Sequence, residues 1–150
     1  MHRRFSITII KKINAPRPYA FDWLTDFSED DHLITGSTVQ KKSIEKVGDK
    51  VTYIAKQEKN GIIVRRNCIV TLIPPDKWKV AATGEEKDIR GEYHLSPDGD
   101  DGTVFEMTLD MNYKVGPVPT KDGVEKENNE VWDKYVEALV DDYIHERPAR

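Results

Sequence analysis

The stretch IIVRRNCIV, residues 62 to 70, sets an arginine and a cysteine two positions apart inside an apolar run. Side chains alternate along a β-strand, so Ile62, Val64, Arg66, Cys68, Val70 and Leu72 would share one face. An inward guanidinium on that face costs several kcal/mol unless a partner, water or a ligand meets it. Its planar fork suits a carboxylate, a phosphate or a carbonyl. Arg66 therefore reads in one of three ways: an anchor for the polar end of a ligand, half of a structural salt bridge, or a side chain snorkelling from a strand end. A bulge near 65–67 would exchange the faces and bring Arg65 inside instead. Cys68 lies on the same face as Arg66. A catalytic thiol needs an activating histidine or cationic surroundings. No histidine is spaced to reach it, so a buried, inert thiol in the wall of the same space is expected.

Other residues extend this chemistry. Asn128 falls in the apolar stripe of a C-terminal helical pattern, near Trp132 and Tyr135 in projection. Its amide would either face a cavity and bind polar ligand atoms, or sit in the first turns partly in water. Tyr53, Trp78, Tyr93, Phe105, Met107, Met111, Trp132, Tyr135 and Leu139 form a set whose aromatic and adaptable side chains suit an apolar ligand or an ordinary core. Tyr53, Tyr93 and Tyr135 are the proton donors such a cavity would hold, and no acid–base pair is evident. His94 and Glu106 read as solvent-facing residues able to pair across a sheet. Asp98-Gly-Asp100-Asp101-Gly resembles part of a calcium loop, but the twelfth position falls on Leu109, so it reads as a hairpin turn. No Cys/His cluster suits zinc and no glycine-rich phosphate loop occurs. Neither a metal nor a cofactor is expected.

The elements that would position these residues follow from the punctuation. FSITIIKKI (5–13) is rich in β-branched residues and reads as a strand. NAPRP then opens a short helix whose face carries Ala20, Trp23, Leu24 and Phe27. SEDDHLITG reads as a second short helix, with Ser28 as cap and Gly36 as stop. Turn clusters near 47–50, 59–61, 74–77, 85–88 and 97–102 separate six further strands, 38–46, 50–58, 62–73, 77–84, 88–96 and 103–114. VGPVPTKDG (115–123) breaks the pattern. Asp122 and Glu125 have capping-box spacing. Val131, Trp132, Tyr135, Val136, Leu139 and Tyr143 then make the stripe of a helix of about 22 residues, or about 33 Å. Pro148 bars its continuation. The expected architecture is α+β: a seven-stranded antiparallel sheet curved around the long C-terminal helix, with two short helices after the first strand.

Composition narrows the function classes. The chain has 150 residues, 37% apolar and 33% charged, which suits one soluble domain spanning 1–150. A formal net charge of −4 argues against nucleic acid or an anionic membrane as partner. One cysteine excludes an internal disulfide and fits a reducing, cytoplasmic compartment. The basic N-terminus does not read as a signal peptide, because its apolar run stops at Lys11 and Lys12. No stretch approaches the roughly 18 apolar residues of a membrane span.

The segment INAPRPYAFDWLTDF (13–27), together with the order of elements, resembles the START-domain and birch-pollen-allergen-like (SRPBCC) superfamily, in its polyketide-cyclase-like branch. The matching positions are Ala15, Pro16, Phe21, Trp23, Leu24 and Asp26. Many relatives carry a Trp or Pro shortly after that Asp, where this chain has His32-Leu33-Ile34. The resemblance implies a helix-grip fold with a cavity between sheet and long helix that takes lipids, sterols, polyketides or similar molecules. It also implies cyclases and protein-interaction modules among the relatives, so fold alone assigns no activity. The expected partner is a small apolar or amphipathic ligand, bound or transported, with Arg66, joined by Asn128 or Tyr53, at its polar end.

Overall fold

The structure is a computed structural model that describes residues 3–27, 34 and 38–146. Strand β1 (Arg4–Ile13) leads into helix α1 (Arg17–Leu24). Six strands follow: β2 (Gln40–Val47), β3 (Lys50–Lys59), β4 (Ile62–Ile73), β5 (Lys77–Gly84), β6 (Lys87–Asp98) and β7 (Gly102–Tyr113). Helix α2 (Lys121–Glu146) closes the chain. The second short helix expected over SEDDHLITG lies, apart from Ile34, outside the described residues.

The strands form one antiparallel sheet in the order β1-β7-β6-β5-β4-β3-β2. From β2 to β7 each strand pairs with the next, because two- to three-residue turns leave the chain nowhere else to go. The β3–β4 turn shows the chemistry plainly. Asn60 and Gly61 both take positive φ, 50° and 79°, as the central pair of a tight twisted hairpin requires. Strand β1 returns to pair with β7 along its whole length, from Arg4 opposite Asn112 to Ile13 opposite Thr103. This is the helix-grip topology expected from the sequence.

Alternation decides what the concave face carries. On β7 it presents Thr103, Phe105, Met107, Leu109, Met111 and Tyr113, all buried. Thr103 is fully buried in that row, and its hydroxyl donates to the Ala15 carbonyl at 2.7 Å. The outer face of β4 carries exposed Ile63, Ile69 and Ile73. Each is set among polar neighbours: Ile63 lies opposite Glu58, Ile69 opposite Thr52, and Ile73 opposite Lys77.

Helix α2 has 26 residues and starts earlier than the Asp122–Glu125 spacing suggests. Its cap is Thr120, whose Oγ1 accepts the Gly123 N–H at 3.1 Å, so the hydroxyl satisfies an amide that has no partner inside the helix. The helix backbone packs most closely against β1, where Lys11 Nζ meets Asp133 Oδ1 at 2.7 Å. Helix α1 is tied to its far end: Trp23 donates to Asp142 at 2.8 Å and Tyr19 to Glu146 at 2.6 Å. Among the described residues, no helix is long and apolar enough to cross a membrane.

Leu139 is the fully buried residue of α2 and joins helix to sheet. Leu139→Ala is expected to cost about 2–5 kcal/mol of unfolding free energy, read as a lower urea midpoint at unchanged slope.

Candidate ligand-binding cavity

The inner faces of the strands alternate between wide rings and very small side chains. Trp132 of α2 stacks on Phe105 of β7, with ring centroids 4.5 Å apart, and leans on Tyr93 of β6 at 6.1 Å. Tyr93 stacks almost parallel on Trp78 of β5, at 5.0 Å and 4°. Phe21 of α1 meets Trp78 edge-on at 5.9 Å. Next to this wall, Ala55, Cys68 and Ala82 line the concave face of β3, β4 and β5 with short side chains. Large rings at the sides and small residues on the floor leave a space that the side chains do not fill.

That space has two adjoining lobes. The first, about 150 Å³, lies against Trp23, Leu24 and Phe27, and is closed by Trp78, Trp132 and Tyr135. The second, about 210 Å³, reaches Ala55, Arg66, Cys68, Ala82, Ile89 and Leu109. Lys41, Tyr53, Val80, Tyr93 and Tyr135 border both.

Two glycines shape the wall. A Cβ on Gly91 would come within 2.8 Å of the Tyr93 ring and 3.0 Å of its hydroxyl, so the Tyr93 ring lies back over its own strand because Gly91 is bare. A Cβ on Gly84 would come within 2.8 Å of Arg66 Cγ, so the arginine stem crosses β5 through an equivalent notch.

Arg66 points into the concave side. The β3–β4 register runs unbroken, with Ala55 opposite Arg66 and Tyr53 opposite Cys68, which removes the alternative of a bulge that turns Arg65 inward. Among the described residues the Arg66 side chain makes no ion pair or hydrogen bond, so the structural salt bridge is not formed there.

Three titratable groups of the wall, Tyr53, Tyr93 and Cys68, are held in their neutral forms. Burial pushes the phenols of Tyr53 and Tyr93 well up, because a dry site disfavours the phenolate. Burial also raises the Cys68 thiol, against the opposing pull of Arg66. Among the described residues, no carboxylate and no imidazole borders either lobe. The described part of the wall therefore offers hydrogen-bond donors at neutral pH and no general base.

Seven of the residues singled out in the sequence border this space: Tyr53, Arg66, Cys68, Trp78, Tyr93, Trp132 and Tyr135. Four do not. Met107, Leu139 and Phe105 are fully buried in the core and Met111 nearly so, because the rows they occupy face α2 where helix and sheet touch. Asn128 also lies away from the lobes. Its Nδ2 donates to the Val124 carbonyl at 2.9 Å, one turn back on its own helix, so the amide is satisfied locally. His94 faces outward opposite Glu106, as the alternation requires, but its Nε2 turns to Asp76 Oδ2 at 3.5 Å.

Lys41 was not legible as a site residue. It sits on β2, borders both lobes, and holds its Nζ 5.6 Å from the Phe27 ring centre and 5.8 Å from that of Tyr53. A register shift between Lys42 and Glu45, with Ser43 at φ 56°, breaks the period by which its face would be read.

The fold recurs in solved structures. The Zhui aromatase/cyclase of a Streptomyces species aligns over 94% of this chain and 96% of its own, with a TM-score of 0.71 at 16% identity. A START superfamily protein from Mycobacterium smegmatis aligns over 90% and 94%, with a TM-score of 0.66 at 17% identity. A major latex-like protein from Panax ginseng aligns over 93% and 99%, with a TM-score of 0.67 at 11% identity. The chain thus has the helix-grip fold of the START-like, SRPBCC proteins that its sequence resembles. No protein-family model matches the sequence, and comparison with curated proteins finds no match.

The dry phenols give a pH signature. Tyr53 and Tyr93 should ionise well above the ordinary phenol range of about pH 10, seen as a delayed share of the 295 nm absorbance in a spectrophotometric titration. Their folded pKa values lie above the unfolded ones, so their contribution to stability is complete below about pH 10 and is lost as pH climbs above it.

Proposed function

We propose that this chain is a single ligand-binding domain that takes a small, mostly apolar molecule into the cavity between its sheet and α2. The observation that carries this reading is an aromatic-walled cavity with a guanidinium at one end with which no acidic side chain among the described residues forms an ion pair. Burial of the ligand's apolar body against Trp78, Tyr93 and Trp132 supplies affinity, at about 25 cal/mol per Å². Arg66 fixes the polar end, and the Tyr53 hydroxyl and Cys68 line its approach. Helix α1 and Phe27, which border the first lobe, are at the entrance. The likeness to START-like proteins supports binding or carriage of such a ligand.

A second reading is a cyclase or dehydratase acting on a polyketide-like substrate without metal. It is favoured by neighbours whose names carry aromatase/cyclase, and by three phenols, Tyr53, Tyr93 and Tyr135, that border both lobes and can donate protons. The absence of a carboxylate or imidazole from the described wall favours binding over acid–base catalysis.

Native mass spectrometry of the purified protein, followed by extraction, tests the binding reading directly. A discrete co-purifying apolar molecule supports it. A protein that arrives empty and shows no thermal shift with lipids or aromatic polyketides counts against it. For the molecule so found, Arg66→Met is expected to weaken binding about 10- to 100-fold, as loss of a charged hydrogen bond does, while leaving the melting temperature equal or higher. Intact binding in that variant would remove Arg66 as the anchor.

A further inference from the structure

One row across the concave face contains more than Arg66. Following the strand pairings, Ala55 lies opposite Arg66 and Arg66 opposite Gly84. Thr83 pairs with Asp88, so the next step of the same antiparallel register sets Gly84 beside Lys87, and Lys87 pairs with Tyr113. Arg66, Gly84, Lys87 and Tyr113 thus occupy adjacent inward positions on β4, β5, β6 and β7. Two cations flank a residue with no side chain. Strands lie about 4.8 Å apart, so the two Cα atoms stand about 10 Å from each other, with an empty notch between them.

The notch is already used from one side. The Arg66 stem crosses it, its Cγ 2.8 Å from where a Gly84 Cβ would be, so the guanidinium is carried towards Lys87. From the other side the Lys87 ammonium lies 5.2 Å from the centre of the buried Tyr113 ring, which holds it against the sheet. Lys87 is the inward residue next after Ile89, which borders the second lobe. A bound molecule reaching past Ile89 meets both cations.

The charges around this row do not cancel. Lys59 of β3 is taken up by Glu86, with Nζ 2.9 Å from Oε1. Glu127 of α2 is exposed. Burial first, then the charges of Arg66 and Lys59, bring the Lys87 ammonium down to about 8, against the weaker opposing pull of Glu86 and Glu127. Two like charges held close beside an apolar cavity are destabilised until an anion arrives.

We propose that Arg66 and Lys87 form a two-cation clamp across Gly84 that receives the anionic group of the ligand, a carboxylate or a phosphate, at the inner end of the cavity. This rests on the cavity-binding reading and narrows it. The ligand is an acid with an apolar body, and neutral sterol-like or alcohol ligands bind more weakly. Lys87 is a binding residue hidden by the sequence, because EEKD at 85–88 reads as turn residues.

Calorimetric titration with three probes of one shape tests the clamp: 2-naphthoate, 2-naphthyl phosphate and the neutral 2-naphthalenemethanol. At pH 7 the wild-type protein is expected to bind at least one anion about tenfold or more tighter than the alcohol. Whichever anion binds tighter identifies the group. Lys87→Met and Arg66→Met should each shrink that preference to a few-fold by weakening the anions more than the alcohol. Lys87→Gln repeats the test should the Met variant fold poorly. Anion binding favours protonated Lys87, so naphthoate affinity should hold up to about pH 8 and fall beyond it, and that fall should vanish in Lys87→Met. Equal binding of alcohol and anions overturns the clamp and leaves the cavity reading standing. Loss of the preference in Arg66→Met but not in Lys87→Met or Lys87→Gln also overturns it. If none of the three probes binds, the cavity reading fails and the clamp fails with it.

Discussion

The contact of Trp132 with Phe105 and Tyr93 governs the rest of the site. An antiparallel sheet with one apolar face must be covered, and a helix with small residues on its inner stripe would settle into the trough. Here a stack of rings, Trp132 on Phe105 and Tyr93 on Trp78, stands between α2 and the sheet. The helix backbone touches down beside β1 and is propped away from β3, β4 and β5 by the thickness of those rings. The cavity follows from that prop together with the short side chains at Ala55, Cys68 and Ala82 beneath it. Rings of this size also bring large buried area, so the feature that holds the space open is a main source of the stability that tolerates it.

Such a space selects what may line it. Polar groups survive there only as neutral donors or as cations with some access to water or ligand. Tyr53 and Tyr93 remain phenols, Cys68 remains a thiol, and Arg66 and Lys41 lie at the borders. The wall is a surface of donors facing an apolar interior, which suits an occupant rich in oxygen acceptors at one end and hydrocarbon elsewhere. The bare positions Gly84 and Gly91 serve the same end, since each makes room for a larger neighbour to lie flat.

Much of this was readable in the residues. The strand sequence was written in its turns: KNG at 59–61 becomes a hairpin whose two central residues take positive φ, and the helix-breaking VGPVPT gives way to α2. Arg66 was found because period-two alternation in β4 is uninterrupted, so one odd residue on an apolar face stands out. The failures have equally local causes. Lys41 precedes a register shift, and a shifted strand hides its faces from any periodic reading. Lys87 begins a strand one residue earlier than the turn chemistry suggested. Asn128 projected onto the apolar stripe, but a helical projection does not reveal a hydrogen bond to Val124 one turn back. Met107 and Met111 share the right face of β7, yet which part of a concave face is filled and which left open depends on where the helix rests, and that is decided by packing between distant segments.

The pairing of β1 with β7 has a consequence for how the molecule comes into being. Thr8 and Thr108 face each other with 100 residues of chain between them. Every other strand pair is a local hairpin, which closes with little loss of chain entropy. The β1–β7 ladder closes a loop that contains nearly the whole sheet, and α2, which rests on β1, has no floor until that ladder exists. During synthesis the first strand leaves the ribosome long before its partner and must wait as an unpaired, β-branched segment. The six-stranded meander can assemble meanwhile, but its apolar concave face stays uncovered until the last fifth of the chain, which carries α2, arrives. Folding of such a topology is set by that one non-local closure, and the interval before it is when the chain is most open to association with other copies.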